Sequence, residues 1–212
     1  ICGTEINLAE ATFEITDQLT LGKGLALKGA GIDKTIIKQT VSKKRCLYLN
    51  HPDDLVEGIT VRGGNSGGTE GIHGLGVYIM TLGGTLRNCR VTGGTLQNNW
   101  TFGIGVAMVG PGLVDHCIID GNVRTGGTNG DYGGGIYASA GIVDECLVYG
   151  NGPAQYGGGI YAAGAVQVRN CTFVKNSSYS TAGGVYFTSA AAKFVNCIFA
   201  LNTSSASDTT VG

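Results

Sequence analysis

The stretch Val143-Asp144-Glu145-Cys146-Leu147-Val148-Tyr149-Gly150-Asn151 decides the fold, because it is written again four times. Its copies are Leu86-Arg87-Asn88-Cys89, Val114-Asp115-His116-Cys117, Val168-Arg169-Asn170-Cys171 and Phe194-Val195-Asn196-Cys197. Each is followed by a short alternating run and a turn. The five Cys stand 28, 29, 25 and 26 residues apart. Val56-Glu57-Gly58-Ile59 is a further copy without its Cys. A fixed period of this length marks a repeat architecture.

Within a unit the apolar residues fall at i, i+3 and i+5, so period 2 slips once, at the residue before the Cys. A strand that bends there needs a residue tolerant of the left-handed region, and Asn or Gly adopts it at least cost. Asn88, Asn170, Asn196 and Gly58 fit; His116 and Glu145 depart from the rule. A second strand stands behind glycines before each Cys, as in Gly76-Val77-Tyr78-Ile79, Gly105-Val106-Ala107-Met108, Gly135-Ile136-Tyr137-Ala138, Gly159-Ile160-Tyr161-Ala162 and Gly184-Val185-Tyr186-Phe187. Cys46-Leu47-Tyr48-Leu49 is a degenerate early copy.

No helical period is present, and no single unit can bury its own apolar face. The reading is all-β: a right-handed single-stranded parallel β-helix, or solenoid, of about seven coils. Strands at 77–79, 106–108, 136–138, 160–162 and 185–187 are expected in one parallel sheet. Stacking at about 4.8 Å turns equivalent residues into ladders. Cys89, Cys117, Cys146, Cys171 and Cys197 then form a buried column of mostly free thiols, each acting as a small hydrophobe. Cys2 and Cys46 lie outside that column. Residues 1–45 read as an N-terminal cap and first coil, 46–202 as the coils, and 203–212 as the start of a further coil or a truncated end.

Composition agrees. Of 212 residues 38 are Gly, 42% are hydrophobic and only 14% are charged, with a formal net charge of −1. A typical globular domain has about 25% charged residues, so the apolar material argues for a core and against disorder. Without a basic stripe no nucleic-acid partner is expected. No run is long enough for a membrane span.

The units resemble right-handed β-helix repeats of bacterial surface and secreted proteins, most nearly those of the chlamydial polymorphic outer membrane proteins. Phe173-Val174-Lys175-Asn176 and Phe199-Ala200-Leu201-Asn202 match that family's FxxN motif. Gly133–Ile136 and Gly157–Ile160 stand where its GGA-I motif stands. The resemblance implies an extracellular or cell-surface segment of a longer exported bacterial protein.

Candidate sites are few. Gly64-Asn65-Ser66-Gly67-Gly68 spells a nucleophile-elbow pattern, but no helix follows it as that chemistry requires. Gly126–Asp131 looks like one copy of a Ca²⁺-binding nonapeptide that works only when stacked. His51, His73 and His116 have no metal-ligand spacing. Polysaccharide lyases and hydrolases built on such coils need convergent carboxylates. Asp115 and Asp144 fall at equivalent positions of neighbouring units, between Arg87 and Arg169, which also suits a plain charge ladder.

The stronger signal is aromatic. Tyr78, Tyr137, Tyr161 and Tyr186 share one strand position, interrupted by Ala107. Five residues earlier stand His73, Phe102, Tyr132, Tyr156 and Thr181. Exposed rows of this kind stack on sugar rings or on a partner protein. The expected binding residues are Tyr132, Tyr137, Tyr156, Tyr161 and Tyr186, pointing outward. No catalytic residue, metal or cofactor is expected. The chain therefore reads as a non-catalytic, structural or adhesive segment, and as not an enzyme; the alternative is a carbohydrate-binding or polysaccharide-degrading β-helix. Expected partners are a glycan or a host or cell-surface protein, with self-association through the solenoid ends.

Overall fold

The computed structural model describes residues 3–67, 72–97, 100–127 and 130–205. Cys2 lies outside them. Short strands and tight turns make up this whole length, and every pairing between strands is parallel. The chain winds through about seven coils. Thirteen strands join in one broad sheet, eight in a second and five in a third, with a two-stranded patch between.

Register follows the repeat. Val77–Ile79 pairs with Val106–Met108, which pairs with Ile136; Ile136 pairs with Ile160, and Ile160 with Val185. The expected strands are there, but two run on. Ile136–Asp144 and Ile160–Arg169 are continuous strands. Only small residues, Ser139-Ala140-Gly141 and Ala163-Gly164-Ala165, separate their halves, so the strand crosses the corner without a loop.

The core is a set of apolar columns along the axis. Val56, Leu86, Val114, Val143 and Val168 form one, and Val61, Val91, Ile119, Val148 and Phe173 another; all are fully buried. Burial of apolar surface on this scale, roughly 25 cal/mol per Å², is what holds coil to coil.

Three bends close each coil. At the first, φ is 66° for Gly58, 49° for Asn88, 50° for His116, 49° for Glu145, 53° for Asn170 and 52° for Asn196. The predicted left-handed bend is therefore present in every copy, including the two departures. His116 Nε2 meets Glu145 Oε2 at 2.6 Å, so the two unexpected residues pair with each other outside the bend. The second bend falls at Gly63, Gly93, Gly121, Gly150, Lys175 and Leu201. The third falls at Gly74, Gly103, Gly133, Gly157 and Ala182. There a Cβ on Gly133 would stand 2.0 Å from the Ile136 carbonyl oxygen, so the chain doubles back tightly before the Tyr-bearing strand.

Behind the second bend runs a buried amide ladder. Asn122 Nδ2 donates to Asn151 Oδ1 at 3.0 Å, Asn151 to Asn176 at 3.0 Å, and Asn176 to Asn202 at 3.1 Å. The FxxN residues are thus structural.

Cys89, Cys117, Cys146 and Cys171 are buried, Cys197 is half-buried at the last rung, and all are free thiols. Each thiol donates to the carbonyl two residues before it, at 3.0–3.4 Å, and is turned inward. Cys46 is also free and buried, in a different column. The final strands, Lys193–Val195, Ile198–Ala200 and Thr203–Ser204, are paired on one side only among the described residues. Phe187, Val195, Ile198 and Leu201 are exposed there.

Candidate functional site

The third bend sets two aromatic rows side by side. One row lies on the five-stranded sheet and carries Phe102, Tyr132 and Tyr156 in register, with His73 one coil earlier. The other lies five residues on, in the broad sheet, and carries Thr20, Tyr48, Tyr78, Ala107, Tyr137, Tyr161 and Tyr186 in register. Because the Gly bend is so tight, the rows touch and form one wall.

Within the second row Tyr137 stacks on Tyr161 at 5.6 Å with 12° between planes, and Tyr161 on Tyr186 at 5.3 Å with 27°. Within the first row Tyr132 stacks on Tyr156 at 5.5 Å. Across the bend Phe102 stacks on Tyr137 at 4.3 Å, Tyr132 meets Tyr161 edge-on at 4.9 Å, and Tyr156 leans on Tyr186 at 5.2 Å. Trp100 packs on Phe102 at 4.7 Å and on His73 at 5.5 Å, and remains exposed.

The five expected residues are brought together, but their faces are not free. Parallel rungs about 4.8 Å apart press ring against ring, so neighbours cover the faces and leave edges and hydroxyls outward. Tyr137 is only 9% exposed, closed in by Phe102 and Tyr161. Tyr137 points outward with its row, as expected, but it is covered, so the expectation that it binds a ligand is corrected: it supports the wall from beneath. Tyr132, Tyr156, Tyr161 and Tyr186 are half-buried. Burial raises the pKa of Tyr137 and of Tyr161, which keeps both phenols protonated.

The sequence reading missed Trp100 and Arg45. Both lie outside the repeat period, Trp100 in the turn before Phe102 and Arg45 ahead of the degenerate Cys46 copy. The signals available were the only Trp of the chain and the run Lys43-Lys44-Arg45.

The charge ladder is also assembled. Asp115 and Asp144 are register partners on adjacent rungs, with side chains 16% and 17% exposed. Arg87 Nε donates to Asp115 Oδ2 at 2.9 Å, and Arg169 Nη2 to Asp144 Oδ2 at 2.5 Å. His116 Nδ1 stands 2.8 Å from Asp115 Oδ1. Burial pushes the Asp115 carboxyl up, but the His116 and Arg87 hydrogen bonds outweigh it, and its pKa is lowered. The hydrogen bond with Asp115 raises that of His116. The result is an imidazole held toward its charged form between Asp115 and Glu145, with Asp144 beside it paired to Arg169.

The remaining motifs resolve into structure. Ser66 is buried, and its Oγ donates to the Gln97 carbonyl at 3.3 Å and accepts from Gln97 N at 2.9 Å, which is no exposed nucleophile. Gly68 of that motif lies outside the described residues. In the Gly126–Asp131 stretch Asp131 is buried and ion-paired to Arg124, with the Tyr179 hydroxyl donating to it at 3.1 Å. Thr128 and Asn129 lie outside the described residues. Among the described residues no three His, Cys, Asp or Glu side chains are grouped to hold a metal ion. No helix there is long and apolar enough to cross a membrane.

A parallel solenoid with an outward aromatic wall and a charged ladder is the class that these observations define. The family model described as the right handed beta helix region matches residues 24–204, and the chain belongs to that family. No curated protein matches it. Among solved structures it is similar to the pectin methylesterase of Aspergillus niger, at 15% identity and a TM-score of 0.52, over 99% of this chain and 80% of that one. It also matches ORF18 of Geobacillus virus E2 at 16% identity and a TM-score of 0.38, over 92% of this chain and 52% of that one. The first likeness corrects the expectation of a non-enzyme. A fold shared over nearly all of this chain with a pectin methylesterase gives no ground for reading the coil as inert, and that reading is withdrawn.

Proposed function

We propose that this chain is a carbohydrate-active β-helix that holds an extended glycan along its axis, against the aromatic wall. The single observation behind the proposal is the continuity of that wall. Tyr156, Tyr186, Tyr161, Tyr132, Phe102, Trp100 and His73 follow one another without a break in ring contact. A lone core aromatic needs no such succession. Half-buried Tyr edges offer apolar C–H surface and hydroxyls together, which matches the mixed surface of a sugar. The wall's rigidity spares a ligand the entropy of ordering its site.

A second reading concerns the chemistry and rests on Asp115 and Asp144. Asp115 and Asp144 are in register on the broad sheet, and His116, at the bend that follows the strand, stands against Asp115, so acid and base groups adjoin there. In this reading the chain acts on a glycan that reaches the ladder, which lies seven residues along the continuous strand from Tyr137 and apart from the wall. A secreted or cell-surface location, in keeping with the GGA-I and FxxN motifs, belongs to the same proposal.

The test is retention on a panel of immobilised polysaccharides, with product release followed by reducing ends and by ester hydrolysis. Retention on a glycan that is lost in Tyr156→Ala and Tyr186→Ala, with melting unchanged, bears the proposal out. No retention on any member sinks it. Product release abolished by Asp144→Asn supports the second reading; binding without release removes it.

A further inference from the structure

The wall has a head, and the head is basic. The Tyr column continues in register from Tyr78 through Tyr48 to Thr20. At Thr20 it opens into a recess of about 450 Å³ lined by Asp17, Gln18, Thr20, Lys43, Lys44, Arg45 and Ile72. Three of these residues are cations and one is an anion. Asp17 is already taken by Lys44, at 2.8 Å. Gln18 Nε2 donates to Thr20 Oγ1 at 2.9 Å. No acceptor among the described lining residues reaches Arg45.

Arg45 is the unusual group. Its guanidinium lies over the Tyr78 ring, 4.6 Å from the centroid. It makes no side-chain hydrogen bond or ion pair among the described residues, and its Nη1 is buried with no acceptor. A buried guanidinium N–H without a partner costs free energy that an incoming acceptor recovers. Arginine's fork also matches a planar oxyanion at two points. Packing on the Tyr78 ring limits the movement of that fork.

We propose that this recess is an oxyanion subsite, in which Arg45 and Lys43 receive a carboxylate or sulfate ester carried by a sugar residue at the end of the bound glycan. The proposal rests on the reading of the wall as a glycan surface and adds its chemical class: an acidic rather than a neutral polysaccharide. Carboxylate and sulfate share the needed chemistry. Tyr48 and Tyr78 meet edge-on at 5.8 Å and lead from the recess onto the wall.

The experiment uses the whole chain and two sets of probes. The first is glucose, glucuronate and glucose 6-sulfate, followed by the NMR shift of the Arg45 side-chain N–H. The second is dextran, carboxymethyl-dextran and dextran sulfate, which differ only in their charged groups. Glucuronate or the sulfate, but not glucose, is expected to move the Arg45 signal. Arg45→Gln and Lys43→Gln should each weaken binding of that anion by about tenfold, the loss expected of one charge-assisted hydrogen bond. Which of the two anions binds more tightly identifies the source. Lys43 is exposed, so its variant folds whatever Arg45→Gln does to packing on Tyr78.

Equal response to glucose and glucuronate, or unchanged anion binding in both variants, overturns the subsite. The two readings fail separately. Neutral dextran retained through the wall with no preference for charge removes the subsite alone. Monosaccharide anions that bind at Arg45 while no polymer is retained remove the wall and keep the subsite.

Discussion

Asn151 Nδ2 donates to Asn176 Oδ1 at 3.0 Å, and the same oxygen accepts the backbone N–H of Asn151 at 3.1 Å. One side chain thus satisfies two donors of the preceding rung. The second Nδ2 proton of Asn151 goes back to the Ile119 carbonyl at 2.8 Å. The ladder ties three successive coils at the point where the sheet is interrupted and backbone groups would otherwise be unpaired.

Asn151→Ala is therefore expected to destabilise the chain by about 3 kcal/mol or more, since it strands the Asn122 amide and the Ile119 carbonyl in the core. Asn151→Asp should be worse at neutral pH, because a buried carboxylate would face two acceptors. Asn202→Ala, at the half-buried last rung, should cost less. Chemical denaturation of the three variants gives the ranking. Equal costs at Asn151 and Asn202 would show that the ladder does not act through burial.

The thiol column makes a kinetic prediction. Burial pushes the Cys89 thiol up to about 12, and that of Cys46 likewise to about 12. Cys146 is also held well above its usual value, chiefly by hydrogen bonding with Cys117. At pH 8 roughly one Cys89 in 10⁴ would be thiolate, which is the reactive form. Of the thiols among the described residues, a reagent should therefore label Cys197 first in the native protein. Cys89, Cys146 and Cys171 should react only in denaturant, without reductant. Native labelling of Cys89 as fast as Cys197 would contradict the column's burial.

His116 predicts a pH dependence. Its hydrogen bond with Asp115 raises its folded-state pKa above the unfolded value of about 6.5. The stability that it contributes is complete below the unfolded pKa and is lost as pH rises through the folded one. Asn occupies the same bend at Asn88 and Asn170, so His116→Asn keeps the left-handed residue and removes the charge. The difference in melting temperature between wild type and His116→Asn should shift in the variant's favour from about pH 5 to about pH 8.5. A difference flat across that range would mean that the His116 pairs contribute nothing to folding.

Ladder positions were legible in the sequence because a repeat fixes which residues stack. The bend column at Asn88, Asn170 and Asn196, the inward Cys and the two aromatic rows all follow from period alone. Period does not give the angle between neighbouring faces. That Phe102 would reach over to Tyr137, one coil on, depends on how tightly the chain doubles back at Gly103 and Gly133 and on the gap left by Ala107. It could not be counted from spacing. FxxN was legible as a motif but not as an amide ladder, since its partners lie 25 or more residues away. Arg45 and Trp100 lie between repeats, where nothing periodic marks them.

The wall separates two kinds of aromatic residue, and mutation should distinguish them. Tyr137 is enclosed by Phe102 and Tyr161, so Tyr137→Ala opens a cavity and should cost about 3 kcal/mol of stability, in line with large-to-small changes in cores. Tyr156 and Tyr186 are half-buried, lean on each other at 5.2 Å and close the wall toward the last coils. Their Ala variants lose ring contacts worth up to about 1 kcal/mol each, too little to unfold the chain. If the wall holds a glycan, Tyr156→Ala and Tyr186→Ala should bind at least tenfold more weakly, as for loss of a buried aromatic anchor of about 2 kcal/mol, with melting almost unchanged. Tyr156→Phe and Tyr186→Phe separate ring from hydroxyl. Stacked rings present their edges, so loss of the hydroxyls should remove a large part of the binding. Retention by the Phe variants and loss by the Ala variants would instead assign the contact to apolar surface. Equal binding by all four variants would leave the stacked rings with the task of holding the coils together.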